Sequence, residues 1–459
     1  MPYGYISYAQ ARTELANRLD DYGKIYWSDA ELGLYLKESL RTWQGLTGYW
    51  RGRMAFTLTS TPWFDLTQQP NSLISYNLKD TDLISIMCYH LIEPQLTGAG
   101  AWQGSDQFIL ADIVQALQRR RDQFLVETGM VTTQQKLNVL SPPSGRMLLP
   151  DNIIDVRRAC WIAPAGPYGS GNYGAGSYGG SFLFSSLWNT DEWAARAFRA
   201  NWSNTPKNPP DAHSVAGTPP LTLQFVPPPL ASGIVELITV NSGAPLNPAV
   251  GVLLGIPDNF AHVVKWGALA DLLGRSGQAS DIFRAGYCQA RWQEGIQIAR
   301  LHTSIITAYI NGVQTFPVSI RNLSTNRPGW QNVFGPPDTI GVMSWNLIAS
   351  SPTPDTNAPY SLMLDVLQNA PVPVLDSDQI QVGREELDAI LDGAQHIASF
   401  KQGGQEFSDS TALYQRMIEL AKVKNARLRA SVKFFGELSD KARKQEIDSP
   451  RRDAVEATA

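Results

Sequence analysis

Apolar residues recur at helical spacing at both ends and in the middle of this chain, and at two-residue spacing between. Ser7 followed by Gln10 is a capping-box pattern that leads into Ala11, Leu15 and Leu19 on one helical face. Ser28 and Glu31 repeat the pattern, ahead of Leu32, Leu36, Leu40 and Trp43. Between them Asp20-Asp21-Tyr22-Gly23-Lys24 offers Gly23 as a C-cap, so residues 7–43 predict an antiparallel helical hairpin. Met54, Phe56 and Leu58 then alternate with Ala55, Thr57 and Thr59, the pattern of a half-buried strand. A helix is expected over 106–127, with Arg119-Arg120-Arg121 inside it, and strands at 153–156, 221–225 and 234–240. Residues 161–220, rich in Gly, Tyr, Asn and Pro, predict a long exposed excursion with a short helical piece at 191–199.

Helical spacing returns at Pro257-Asp258, with Val263, Trp266, Ala270 and Leu273 on one stripe until Gly274 and Gly277 break it. A longer helix from Ser280 carries Cys288, Trp292, Ile296 and Ala299. Strands are expected within 313–367, most clearly at 340–348 and 362–367, and two helices at 384–400 and 408–436 about Gly403-Gly404. This is an α+β pattern. It suggests a helical core of 1–52 and 257–311, a mixed insertion over 53–256, a β-rich segment over 312–375, and C-terminal helices with a basic tail over 376–459.

Composition narrows the class. Of 459 residues 43% are hydrophobic, which excludes a disordered chain, and only 17% are charged, against ~25% in an average globular protein. Gly 37 and Pro 30 give loops a large share, and Trp 13 suits broad, partly wet interfaces as well as cores. The net charge of −4 gives no general attraction to nucleic acid or anionic membrane. Cys88, Cys160 and Cys288 are too few and too scattered for a disulfide framework or a zinc site, which fits assembly in a reducing compartment. Met1-Pro2-Tyr3-Gly4-Tyr5 does not read as a signal peptide, and no apolar run is long enough to span a membrane.

The candidate chemistry is thin. Gly169-Ser170-Gly171-Asn172-Tyr173-Gly174 with Asp191 matches the dinucleotide fingerprint in letters. That fingerprint needs a strand entering and a helix leaving, and Pro164, Gly166 and Pro167 precede it while more Gly and Tyr follow. His90, His213, His262, His302 and His396 lie far apart, in no metal-ligand spacing. The acids Glu385, Glu386, Asp388 and Asp392 are explained by a solvated helix face or a first-turn charge bias. The sequons at Asn201 and Asn322 matter only on a secretory route. No nucleophile elbow or P-loop is present, so the chain reads as a non-enzyme with no cofactor and no metal.

Two features suggest contacts. Tyr168, Tyr173, Tyr178, Phe182, Phe184 and Trp188 are spaced among glycines, as in adaptable binding loops. Near the C-terminus, Leu413, Met417, Leu420 and Leu428 form a narrow stripe, flanked by Arg427 and extended by Phe434 and Phe435. Ten Lys/Arg against five acids over 421–453 make that end basic, so the helix is expected to dock in a groove on an acidic partner.

Two segments resemble a known family. One runs from Ser7 to Trp43, with Leu15-Ala16-Asn17-Arg18-Leu19 and Tyr26-Trp27-Ser28-Asp29-Ala30-Glu31-Leu32. The other has Ile256-Pro257-Asp258, Gly267-Ala268-Leu269-Ala270-Asp271-Leu272-Leu273-Gly274, and Tyr287-Cys288-Gln289-Ala290-Arg291-Trp292-Gln293-Glu294-Gly295. Together they resemble the head–tail adaptor (connector) proteins of tailed bacteriophages. The resemblance implies a helical hairpin packed on a central helix pair, in a structural protein that forms a dodecameric ring under the portal protein. Such a ring extends the channel for packaged DNA without reading its sequence and carries tail tube, nozzle or fibre proteins. It would place the chain at the neck of the virion, assembled in the host cytoplasm and away from membranes. This chain is longer than the small adaptors, and its Gly/Tyr loop, its strands over 313–367 and its C-terminal helices have no counterpart there. The competing reading is a β-rich tail-tube or receptor-binding tail component.

Overall fold

The computed structural model describes residues 5–96, 107–140, 145–163, 183–198, 201–277, 280–355 and 359–425. The fold is α+β. The chain divides into two compact units, Met1–Tyr49 with Ala370–Ala459, and Trp50–Asn369.

The first unit begins with β1 (Ile6–Ser7), α1 (Tyr8–Arg18) and α2 (Asp29–Thr47). Ser7 Oγ accepts the Gln10 N–H at 3.2 Å and Gln10 Oε1 accepts the Ser7 N–H at 3.0 Å, the reciprocal cap that the sequence predicts. At α2 Ser28 Oγ accepts the Glu31 N–H, while the Glu31 carboxylate takes the Tyr35 hydroxyl at 2.7 Å and Lys401 Nζ at 3.1 Å. The link between the helices differs from expectation. Gly23 is not the cap; Asp20 and Lys24 take the left-handed backbone, and the Asp21 carboxylate collects the N–H groups of Ile25, Tyr26 and Trp27 at 2.9 Å each. An Asx-type side chain thus supplies the turn assigned to glycine.

The second unit follows in chain order with β2 (Arg51–Leu58), β3 (Trp63–Asp65), α3 (Asp80–Leu91), α4 (Leu110–Thr128), β4 (Thr133–Val139) and β5 (Arg146–Leu148). Next come β6 (Ile153–Ala163), β7 (Leu183–Asn189), α5 (Glu192–Phe198), β8 (Ala212–Ala216), β9 (Thr222–Val226) and β10 (Gly233–Asn241). Helices α6 (Ala261–Leu273) and α7 (Ile282–Leu301) precede β11 (Ile305–Ile310), β12 (Val313–Thr315), β13 (Val318–Ser319), α8 (Ile320–Asn326), β14 (Thr339–Val342), β15 (Leu347–Ser351) and β16 (Tyr360–Leu367).

Three sheets result. A seven-stranded sheet has the order β4-β10-β6-β7-β8-β9-β5, antiparallel except where β7 meets β8. Its core gathers Trp161, Leu187, Leu223, Phe225, Val235 and Leu237. A second sheet, β12-β11-β16-β2, buries the Met54, Phe56 and Leu58 face that the alternation predicts. The third, β13-β14-β15-β3, packs Trp63, Trp330 and Leu347 with Ile238 of β10. So 161–220 is not wholly an excursion: β7 and β8 within it are strands of the large sheet.

Helix α6 packs on α4 and α7. A Cβ at Gly295 would stand 2.6 Å from Val263 Cγ1, so only a glycine lets α7 approach α6 this closely. The expected stripe of Val263, Trp266, Ala270 and Leu273 is buried, but so are Val264, Lys265, Ala268, Leu269 and Leu272, because neighbours cover α6 on nearly every side.

The chain then returns to the first unit with β17 (Gln379–Ile380), paired antiparallel to β1, then α9 (Arg384–Ser399) and α10 (Gly404–Lys424). α2 packs along α9, and α10 along both. This corrects the expected domain plan. The hairpin 1–52 does not share a core with 257–311; its partners are α9 and α10, and 257–311 belongs to the unit that also holds 53–256 and 312–369. An apolar stripe fixes which face is buried but not what buries it, and the β1–β17 pairing brings α9 to the hairpin.

Candidate interaction surfaces

The C-terminal stripe can be located in part. Met417 is buried within its own unit, with Leu413 and Leu420 half-buried on the same helix. Gly393 on α9 makes the room: a Cβ there would collide with Met417 Sδ and lie 2.7 Å from Ser39 Oγ. Ser39 Oγ also donates to the Ile390 carbonyl at 2.6 Å, so α2, α9 and α10 meet at one close contact. Met417 therefore lies inside its own unit rather than on a free face, while Leu413 and Leu420 keep part of their surface exposed. α10 ends at Lys424 rather than 436. Arg427, Leu428, Phe434 and Phe435 lie outside the described residues.

Polar contacts fix the same layer. Arg18 pairs with Asp388 and Asp392, both at 2.8 Å, and Lys424 Nζ pairs with Glu386 at 2.8 Å. Burial pushes the Asp392 carboxyl above its ordinary range, and the Arg18 and Arg416 guanidinium groups offset part of that push. The Asn425 amide donates to the Leu46 carbonyl at 2.6 Å, so the basic extension departs from a fixed point at the end of α2. The acids read as a solvated face are in fact mixed: Asp392 and Glu386 are buried in these ties, and Glu385 is exposed.

The aromatic loop is placed only at its end. Phe184 exchanges two hydrogen bonds with the Asn332 side chain, at 2.6 and 2.9 Å. Trp188, at the end of β7, is 79% exposed, and Trp193 on α5 is 83% exposed. Tyr168, Tyr173, Tyr178, Phe182 and the 169–174 glycine motif lie outside the described residues. Asp191 has a local task, accepting the Ala194 N–H at 2.6 Å at the start of α5. A further exposed pair, Ile282 and Phe283, opens α7.

The cysteines, with His90, His213 and His396, are enclosed, whereas His262 and His302 are half-buried. Cys88, Cys160 and Cys288 are free and buried, and burial pushes each thiol up to about 12, far from a reactive thiolate. His90 Nε2 lies 3.1 Å from Lys265 Nζ inside the α3–α6 contact. Among the described residues no group of three or more His, Cys, Asp or Glu is placed to hold a metal, and no helix is long and apolar enough to cross a membrane.

One buried polar network had no sequence signal. Glu236 on β10 accepts from Trp63 Nε1 at 3.0 Å, Gln331 Nε2 at 2.9 Å and Gln134 Nε2 at 2.7 Å. Arg158 donates to Gln331 Oε1 at 2.7 Å and lies 5.5 and 5.8 Å from the Trp63 and Trp330 ring centres. All the carboxylate's donors are neutral and internal, so it ties the large sheet to the sheet containing β3. Its members lie far apart in sequence, and no spacing rule could have joined them. Compared with known proteins, the chain matches no protein-family model and no curated protein sequence.

Proposed function

We propose that the chain is a structural protein of a tailed-phage virion, a head–tail adaptor whose copies form a dodecameric ring at the neck. In this reading the ring docks under the portal protein, continues the channel for packaged DNA without sequence readout, and carries tail tube, nozzle or fibre proteins. It would assemble in the host cytoplasm, and the reading requires no catalysis and no cofactor. The observation that carries it is local. Both segments bearing the resemblance form helix pairs, α1–α2 with its reciprocal Ser7 cap and α6–α7 with its close contact at Gly295. A closed ring requires two different complementary surfaces on each copy, and a chain folded as two units has material for both. The hairpin and the central pair fall in different units, so the two would serve different contacts rather than one core.

The basic extension from Asn425 onward is the segment assigned to the portal side. Removing residues 426–459 is expected to leave both units folded and to abolish attachment to portal-bearing heads, while attachment of the full chain is expected to weaken as salt rises. Truncated subunits that join heads normally would defeat this assignment. The exposure of Trp188 and Trp193 favours the second reading, a receptor-binding tail component, and trimers at the tail periphery would support it.

A further inference from the structure

The large sheet has one weak seam. Between β7 and β8 its pairing turns parallel and covers only two residue pairs, Trp188 with Ala212 and Asn189 with His213. Two backbone bonds flank the seam, Trp188 N–H to the Asp211 carbonyl at 3.1 Å and Thr190 N–H to the His213 carbonyl at 2.9 Å. Beyond it, β8 and β9 are joined in full antiparallel register over five pairs, and β5 pairs with β9. In strand pairing the three strands join the rest of the sheet through this seam, while Leu223 and Phe225 pack into its core against Trp161 and Leu187.

His213 sits at the seam and is 2% exposed. Its register partner is Phe225, and Val215 lies two residues on, so the imidazole shares the face of the apolar core. Among the described residues no side chain hydrogen-bonds either ring nitrogen, and the polar groups nearest the ring are the backbone of Leu187 and Trp188, which partly stabilise its charged form. β7 and β9 contribute no ionisable side chain. Asp211 is paired with Lys207, and Glu192 and Arg196 on α5 are paired with each other. Asp191, next to the seam's Thr190, accepts the Ala194 N–H, and among the described residues no charged group acts on the His213 ring. A neutral ring is tolerated here, whereas an imidazolium would be a buried cation with no anionic partner, offset only in part by the Leu187 and Trp188 backbone.

We propose that His213 makes the β7–β8 seam an acid-operated latch, closed while the ring is neutral and released, with β8, β9 and β5, when the ring is protonated. Burial lowers the His213 pKa from 6.5 to about 4, and the backbone of Leu187 and Trp188 offsets part of this. The stability that the neutral ring confers is therefore complete above pH 6.5 and is lost as pH falls toward about 4. With the opened ring titrating at its ordinary value, the opening equilibrium grows about a hundredfold between pH 7 and pH 4.

The test is amide-exchange protection in the full chain at pH 7 and pH 4, corrected for intrinsic exchange, in the wild type and in His213→Gln. The expected result is a loss of about a hundredfold at Trp188, Thr190 and the β8 amides in the wild type, unchanged protection in β10 and β6, and no such loss in His213→Gln. Equal protection at both pH values, or the same loss in the variant, would overturn the latch. Should the variant fail to fold, carbon-13 titration of the wild-type histidines decides: an imidazole of His213 that titrates near 6.5 in the folded chain also overturns it.

Discussion

Gly393 and Glu236 show how much single positions carry. Gly393 is a mid-helix glycine, an unfavourable residue in a helix by about 1 kcal/mol, kept because α9 touches both α2 and α10 there. Gly393→Val is expected to lower the stability of the first unit by about 2 kcal/mol through overpacking, read as a lower urea midpoint at unchanged slope. Glu236→Ala would leave the Trp63 indole and two glutamine amides without their acceptor inside the protein. A loss of about 3 kcal/mol is expected, with Glu236→Gln costing less because it keeps an acceptor; equal losses would contradict the network. The Ser7 cap was legible because its residues are three apart. Glu236 and its partners come from β3, β4, β10 and the segment after α8, and nothing local in the sequence links them.

Among elements, the chain was most legible where one face is wet. α1, α7 and β2 follow their predicted stripes because solvent keeps the opposite face polar, whereas α2 shows its stripe through buried polar residues such as Glu38, Ser39 and Gln44 on its other sides. α3 gave no stripe because its Leu83, Ile84, Ile86, Met87, Cys88 and Leu91 are buried around most of its girth. β7 and β8 were hidden inside a composition that reads as loop. The partner of each stripe was not legible at all, and the hairpin pairs with the C-terminal helices rather than the central pair. Two truncations check this. Stopping after Asn425 is expected to keep the melting transition of the first unit, whereas stopping after Gly403 removes α10 and exposes the groove that holds Met417. Calorimetry on the second truncation should show that unit's transition lost or shifted well downward. An unchanged transition would mean α10 contributes nothing to its own unit.

For the whole molecule, the three thiols are buried, and His90 and Asp392 are engaged with Lys265 and Arg18. Among the described residues Trp188, Trp193 and Phe283 face outward, and the sequence beyond Asn425 is basic. Those are the groups that large assemblies use for contact, aromatics as anchors and charge for register and approach. The most direct measurement of the proposed adaptor role is electron cryo-microscopy of the head–tail junction of phage particles assembled with this chain. A twelve-fold ring between portal and tail is expected, with density in each subunit for the bundle of α1, α2, α9 and α10. Trimers of the chain at the tail periphery, with no copy at the neck, would contradict it.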